Sequence, residues 1–125
     1  MLLQNGAGTI NTALRSRERL RLSKEFRAIR LQGSWARGTL LSIGILPNHR
    51  SCNRLGLRVQ RGVKDAVSRN RTRRLVRAIY QRAKPRLVAG YDLCIIIYKQ
   101  TRLVSFRELE RDFLKLCKNL GILSQ

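Results

Sequence analysis

Acidic residues are scarce in this chain: Asp+Glu number 7 against Lys+Arg 27, a formal net charge of +20. The seven are Glu18, Glu25, Asp65, Asp92, Glu108, Glu110 and Asp112, and only the last three lie close together, on what helical spacing makes the exposed side of a C-terminal helix. A carboxylate cluster of the kind that holds Mg²⁺ in a protein nuclease is therefore not expected. Histidine is scarcer still. The single His49 falls in a loop with no carboxylate partner near it, which is not the setting of a general acid or base. Cys52, Cys94 and Cys117 are odd in number and lack Cys-x-x-Cys spacing, which speaks against a disulfide framework and a zinc site. Cys94 is expected in a buried strand and Cys117 on the core side of a helix. No Walker loop and no nucleophile elbow is present.

Long apolar runs are missing as well. None approaches the ~20 residues that a membrane-spanning helix needs. The opening MLLQNGAGTINTAL has no positive charge before Arg15 and no sustained apolar block, so it does not read as a signal peptide. No membrane contact is expected, and the cytoplasm is the expected compartment. At 43% hydrophobic the chain can bury one modest core. Residues 1–16 read as a flexible N-terminal arm and 17–125 as a single domain.

What the chain has in abundance is arginine. Of the basic residues 21 are Arg and 6 are Lys, a bias that suits bidentate phosphate contacts and stacking on bases, and that a GC-rich genome would also produce. Six arginines, Arg69, Arg71, Arg73, Arg74, Arg77 and Arg82, fall within fourteen positions, and no acid lies between Asp65 and Asp92. Wound at about 100° per residue, these arginines with Asn70 and Gln81 occupy one arc, while Thr72, Leu75, Val76, Ile79 and Ala83 fill the other. One side suits packing on a sheet. The other gathers like charges that a polyanion would relieve, and a sequence pI near 11.7 fits nucleic-acid binding across the whole chain.

Around this segment the pattern gives a helix from Leu20, with Ser23 as N-cap, Leu22, Phe26 and Ile29 on one face and Gly33 at its end. Gly38 to Leu46 reads as a strand stopped by Pro47-Asn48. In Arg54 to Arg61, Leu55, Leu57 and Val59 alternate with Gly56, Arg58 and Gln60, a strand with one core face and one basic face on which Gly56 would admit a ligand backbone. Asp65 is placed to cap the arginine helix. Tyr91 to Lys99 reads as a strand covered on both faces. In a final helix Ser105 and Glu108 form a capping box, Val104 and Leu109 a hydrophobic staple, and Phe106, Leu109, Phe113, Leu116 and Leu120 a core stripe ended by Gly121. The expected fold is an α+β, two-layer α/β sandwich in the order α-β-β-(β)-α-β-α.

The run AVSRNRTRRLVR, Ala66 to Arg77, flanked by RLGLRV and YDLCIII, resembles the protein subunit of bacterial ribonuclease P. The carriers are Arg69-Asn70-Arg71 followed by Arg73-Arg74-Leu75-Val76-Arg77, and the match in element order runs from about Leu20 to Leu120. The resemblance implies a left-handed crossover between parallel strands, against the right-handed form found in ~98% of such units. It implies an endoribonuclease component that assists a catalytic RNA in removing the 5′ leader from precursor tRNA, with the catalytic centre and its Mg²⁺ on the RNA and no obligate protein partner. A ribosomal protein, a general structured-RNA binder and a DNA-binding module are the competing readings of charge alone.

Carried over by position, the resemblance assigns Arg69, Asn70, Arg71, Arg73, Arg74 and Arg77 to the catalytic RNA. Asn70 would orient phosphate or a hydrated metal, or serve only as a hydrogen bonder on the helix surface. A cleft between the first helix and the sheet would take the leader, with Phe26, Arg30, Arg58, Gln60 and Arg61 as its residues. Phe26 fits both a stacking platform and a core position. Arg30 stands where family members often carry a second aromatic, Leu41 to Ile45 contain none, and Arg61-Gly62 replaces paired lysines. A leader groove relying more on charge than on stacking is expected.

Overall fold

The computed structural model describes residues 14–60, 65–98 and 105–124. The described chain opens with a 3-10 turn, Ser16–Glu18, and continues as α1 (Ser23–Gln32), β1 (Ser34–Arg37), β2 (Leu41–Pro47), β3 (Arg54–Val59), α2 (Ala66–Ala83), a second 3-10 turn (Lys84–Arg86), β4 (Tyr91–Ile97) and α3 (Phe106–Asn119). The strands form one mixed sheet in the order β1-β2-β4-β3. β2 is antiparallel to both β1 and β4, whereas β3 and β4 are parallel neighbours joined through α2.

Strand periodicity decides which residues face where. Leu41, Ile43 and Ile45 of β2, Leu55 of β3 and Leu93, Ile95 and Ile97 of β4 point to one face and pack against Val76, Ile79 and Tyr80 of α2 and Leu109, Phe113 and Leu116 of α3. This is the α+β sandwich expected from the sequence, with one refinement: α1 lies on the opposite face, where Ile29 is buried with Leu20 and Cys94 and packs against Phe26, Trp35, Leu46 and Ile96. Only part of that second face is covered. The remainder is open and forms the floor of a cleft.

Local chemistry explains most of the boundaries and corrects some expected ones. Leu22, not Ser23, is the N-cap of α1, and the cap is built by Glu25, whose Oε1 accepts from the N–H groups of Leu22 and Arg21 at 3.1 and 3.2 Å. Leu22 is consequently exposed rather than on the buried face. The strand read over Gly38 to Leu46 begins at Leu41, because the chain first makes the short β1 and turns at Gly38, whose N–H bonds the Leu41 carbonyl at 2.9 Å. Asp112 of α3 accepts from the Leu40 N–H at 3.1 Å and holds that turn against the helix.

Leu14 is buried in the main core, inside the segment read as an arm, and Glu18 is buried against Lys84. Residues 1–13 lie outside the described residues, as do Arg61 and Gly62, the Lys99 end of the last strand, and Val104 of the proposed staple. The cap on α3 forms as expected: Ser105 Oγ accepts from the Glu108 N–H at 3.2 Å. Cys94 and Cys117 are buried where the sequence puts them. No helix among the described residues is long and apolar enough to cross a membrane.

Candidate nucleic-acid interface

Asp65 starts α2. Its carboxylate accepts from the Ser68 hydroxyl at 2.7 Å and the Val67 N–H at 3.0 Å, bonds that hold its pKa below the usual carboxylate value. From that start the 3.6-residue period turns Thr72, Val76, Ile79, Tyr80 and Ala83 into the protein. Tyr80, which the two-arc reading passed over, is fully buried.

Arg69, Asn70, Arg71, Arg73, Arg74 and Arg77 are left on the outer side, each exposed or half-buried. Asn70 Oδ1 accepts from Arg73 Nη1 at 3.4 Å, so the amide braces a neighbouring guanidinium. Partial burial, together with the charges of Arg19, Arg73 and Arg74, lowers the pKa of Arg77: positive charge is crowded here. Arg19 has no local sequence signal. It arrives because the segment before α1 pairs along β3, with the Leu20 N–H on the Leu55 carbonyl at 3.0 Å.

Arg82 behaves differently. It pairs with Glu110 of α3 at 3.0 Å and lies 5.7 Å from the Phe106 ring centre. The arginine surface thus ends near Arg77, and Arg82 helps dock α2 on α3.

On the other face of the sheet, α1 and the strands enclose a cleft of about 750 Å³ lined by Ser23, Phe26, Arg27, Arg30, Trp35, Arg37, Ser42, Arg58, Gln60, Cys94, Ile96 and Tyr98. The register explains this set, because Trp35 and Arg37 stand opposite Gly44 and Ser42, while Gly56 and Arg58 stand opposite Cys94 and Ile96. Four of the lining side chains are arginines and none is acidic. The Ser42 hydroxyl and the Tyr98 phenol share a hydrogen bond on the floor. Burial pushes the Cys94 thiol up to about 11 against the pull of Arg58, so the thiol stays protonated near neutral pH.

Two glycines make the aromatic arrangement possible. A Cβ on Gly56 would collide with the Phe26 ring, and one on Gly44 would stand 2.5 Å from the Trp35 indole. Gly56 therefore seats Phe26 and does not serve as the open approach for a ligand expected from the sequence. Phe26 is half-buried: it packs against the cluster of Leu20, Ile29 and Cys94 and also lines the cleft. Its position is thus shared between core and cleft.

Trp35 was missed because a four-residue strand directly after a helix has no periodicity to betray its facing. Its Nε1 donates to the Ile29 carbonyl at 3.2 Å. With Trp35 and Tyr98 also lining it, the cleft carries three aromatic rings beside its four arginines, so it offers stacking surface as well as charge. Arg30, Arg58 and Gln60 lie where the sequence reading put them, on the cleft, while Arg61 is outside the described residues.

The acids are placed as counter-charges. Glu110 pairs with Arg82 and Asp112 holds the β1–β2 turn, so of the three C-terminal acids only Glu108, exposed beside Ser105, keeps the solvated setting that helical spacing suggested. Glu25 and Asp92 both bind Arg54. His49 lies in the turn after β2 with a positive φ of 58°. Among the described residues no group of three His, Cys, Asp or Glu side chains is arranged to hold a metal ion.

Known proteins resemble this chain in sequence and in fold. The Ribonuclease P family profile matches residues 14–121. A ribonuclease P protein component of Clostridium botulinum is 31% identical over 105 residues, covering 83% of this chain and 95% of that protein. The ribonuclease P protein of Thermotoga maritima is 31% identical with a TM-score of 0.75, covering 82% of this chain and 97% of that one. That of Staphylococcus aureus is 18% identical and shares the fold, with a TM-score of 0.77 over 86% of this chain and 98% of its own.

Proposed function

The chain belongs to the ribonuclease P protein family, and from that premise we propose that it engages two RNAs on two separate surfaces, the catalytic RNA on α2 and the precursor-tRNA leader in the cleft. Its general role is that of the RNA-binding protein component of an endoribonuclease in tRNA processing. A ribosomal or general RNA-binding role has no comparable support.

The observation that carries the two-surface reading is the division of basic side chains by the sheet. The outer face of α2 presents Arg69, Asn70, Arg71, Arg73, Arg74 and Arg77, with Arg19 beside them, behind the face that packs against α2 and α3. The cleft presents Arg27, Arg30, Arg37 and Arg58 on the opposite face, among Phe26, Trp35 and Tyr98. A helix surface dense in guanidinium and devoid of acid suits the closely spaced phosphates of a structured RNA. A cleft that alternates arginines with aromatic rings suits a single strand, whose bases stack while its backbone is tracked by charge. Gln60, and Arg61 beyond the described residues, complete the leader assignment.

Within this reading the protein's part in the reaction is binding and orientation. Arginines on α2 hold the catalytic RNA, the cleft holds the leader, and cleavage falls at the junction between them. Mg²⁺ bound by the catalytic RNA supplies the hydrolytic chemistry. Among the described residues the carboxylates serve as counter-charges and caps, and no group of three His, Cys, Asp or Glu side chains is arranged to hold a metal ion. A cytoplasmic protein without a membrane partner or an obligate protein partner fits this role.

The experiment is photo-crosslinking from two positions of the reconstituted holoenzyme. A probe at Trp35 is expected to label leader nucleotides, and a probe at Arg73 the catalytic RNA. Labelling of the catalytic RNA from both positions would overturn the two-surface reading.

A further inference from the structure

Arg54 is a basic residue on the cleft-side face of β3, four positions before Arg58, and by position alone would count among the RNA contacts. Its guanidinium is spent elsewhere. Nε donates to Asp92 Oδ1 at 2.8 Å and Nη2 to Asp92 Oδ2 at 2.7 Å, a bidentate pair, while Nη1 donates to Glu25 Oε2 at 2.7 Å. All three side chains are at most 18% exposed.

The acids are fixed in turn. Asp92 Oδ1 also accepts from Asn48 Nδ2 at 2.9 Å, and Glu25 Oε1 takes the Leu22 and Arg21 N–H groups that open α1. One guanidinium thus ties the first turn of the cleft wall, α1, to two of the strands beneath it, β3 and β4. Arg54's pKa is raised, chiefly by its bond to Asp92.

We propose that Arg54 is a positioning residue for the cleft: the Glu25–Arg54–Asp92 clamp seats α1 so that Phe26 rests on Gly56 beside Arg58 and the Ile29 carbonyl meets Trp35. Sequence neighbours make the coupling direct. Phe26 follows Glu25, and Ile29 lies one turn further along the same face. A bidentate arginine–carboxylate pair fixes orientation as well as distance, which a lysine with a single ammonium does not reproduce. The structural part of this inference stands on the clamp alone, and its kinetic consequence rests on the assignment of the cleft to the leader.

The test uses Trp35, the single tryptophan of the chain, as a reporter of α1. In the free protein, Glu25→Gln keeps an acceptor for the α1 cap but drops the charge facing Arg54, and Arg54→Met removes the clamp. Acrylamide quenching of Trp35 is expected to increase in both, with Arg54→Lys restoring part of the protection. In reconstituted holoenzyme, KM for leader-bearing precursor should rise about tenfold while kcat and affinity for the catalytic RNA stay as in the parent, the pattern of lost ground-state binding.

Unchanged quenching and unchanged KM in folded Glu25→Gln protein would overturn the proposal. So would a loss of catalytic-RNA affinity matching the loss in KM, which would make Arg54 an RNA contact. Increased quenching with leader preference intact in Arg54→Met, and also in Arg58→Ala, would uphold the clamp and remove the leader from this cleft.

Discussion

The guanidinium carbon of Arg58 lies 4.2 Å from the centre of the Phe26 ring. Both residues line the cleft, and the ring, carried by α1, lies against Gly56 of β3. Because a methyl on Gly56 would enter the space of that ring, Gly56→Ala should displace Phe26, cost about 1–3 kcal/mol by overpacking and weaken binding of leader-bearing precursor. Thermal melts and substrate affinity of the folded variant check this. Stability and leader binding both at parental levels would mean that the ring shifts freely and does not define the cleft.

Trp35 offers the largest flat surface in the cleft, and stacking of a base on an aromatic ring is worth ~1–3 kcal/mol. Trp35→Ala should lower affinity for precursor tRNA with a leader by about that amount and leave mature tRNA unaffected. Trp35→Phe should recover much of the loss, since it keeps a stacking face while removing the N–H that bonds the Ile29 carbonyl. Equal losses for both tRNAs would assign the effect to folding.

Along α2, replacing Arg69, Arg73 and Arg77 by Ala should weaken binding to the catalytic RNA and flatten its salt dependence by up to about 1 in log–log slope per lost phosphate contact. Arg82→Ala should leave that slope unchanged and lower stability by up to about 1 kcal/mol, because its partners are Glu110 and Phe106. The two sets of variants are separated by filter binding at several salt concentrations, together with melting curves.

Besides the Asp65 cap, two carboxylates make folding sensitive to acid. Burial raises the pKa of Glu25, but the N–H groups of Leu22 and Arg21 and the charge of Arg54 outweigh it, so the net shift is below the ordinary 4.5. Burial likewise raises Glu18, and Lys84 and the Arg15 N–H bring it below 4.5. A carboxyl with a depressed folded pKa contributes stability that is complete above its unfolded value and disappears as pH falls through the folded one. Melting temperature should therefore hold down to about pH 4.5 and then drop, with a shallower drop in Glu25→Gln. A profile of the same depth in that variant would show that Glu25 does not contribute.

Periodic segments were readable from the sequence because each decides its own facing. The two arcs of α2, the alternation of Leu55, Leu57 and Val59 and the stripe Leu109–Phe113–Leu116 follow from local spacing. Features set by distant partners were not readable. Trp35 reaches the cleft through its pairing with Gly44, Tyr98 through its place at the end of β4, and Arg19 through the edge of β3. Arg82 has the same sequence surroundings as its neighbours, and only α3 reveals that Glu110 holds it. The reading of Gly56 failed for the same reason, since the open space that a glycine creates was already taken by Phe26 from a helix about thirty residues earlier.

Separation of the two RNA surfaces is tested most directly by measuring, in one set of reconstituted holoenzymes, both the affinity for the catalytic RNA and the ratio of affinities for leader-bearing and mature tRNA. The Arg69, Arg73 and Arg77 triple variant should lose the first and keep the second, whereas Arg58→Ala combined with Trp35→Ala should keep the first and lose the second. If both variants lower both quantities together, the two faces of the sheet do not divide the RNAs between them.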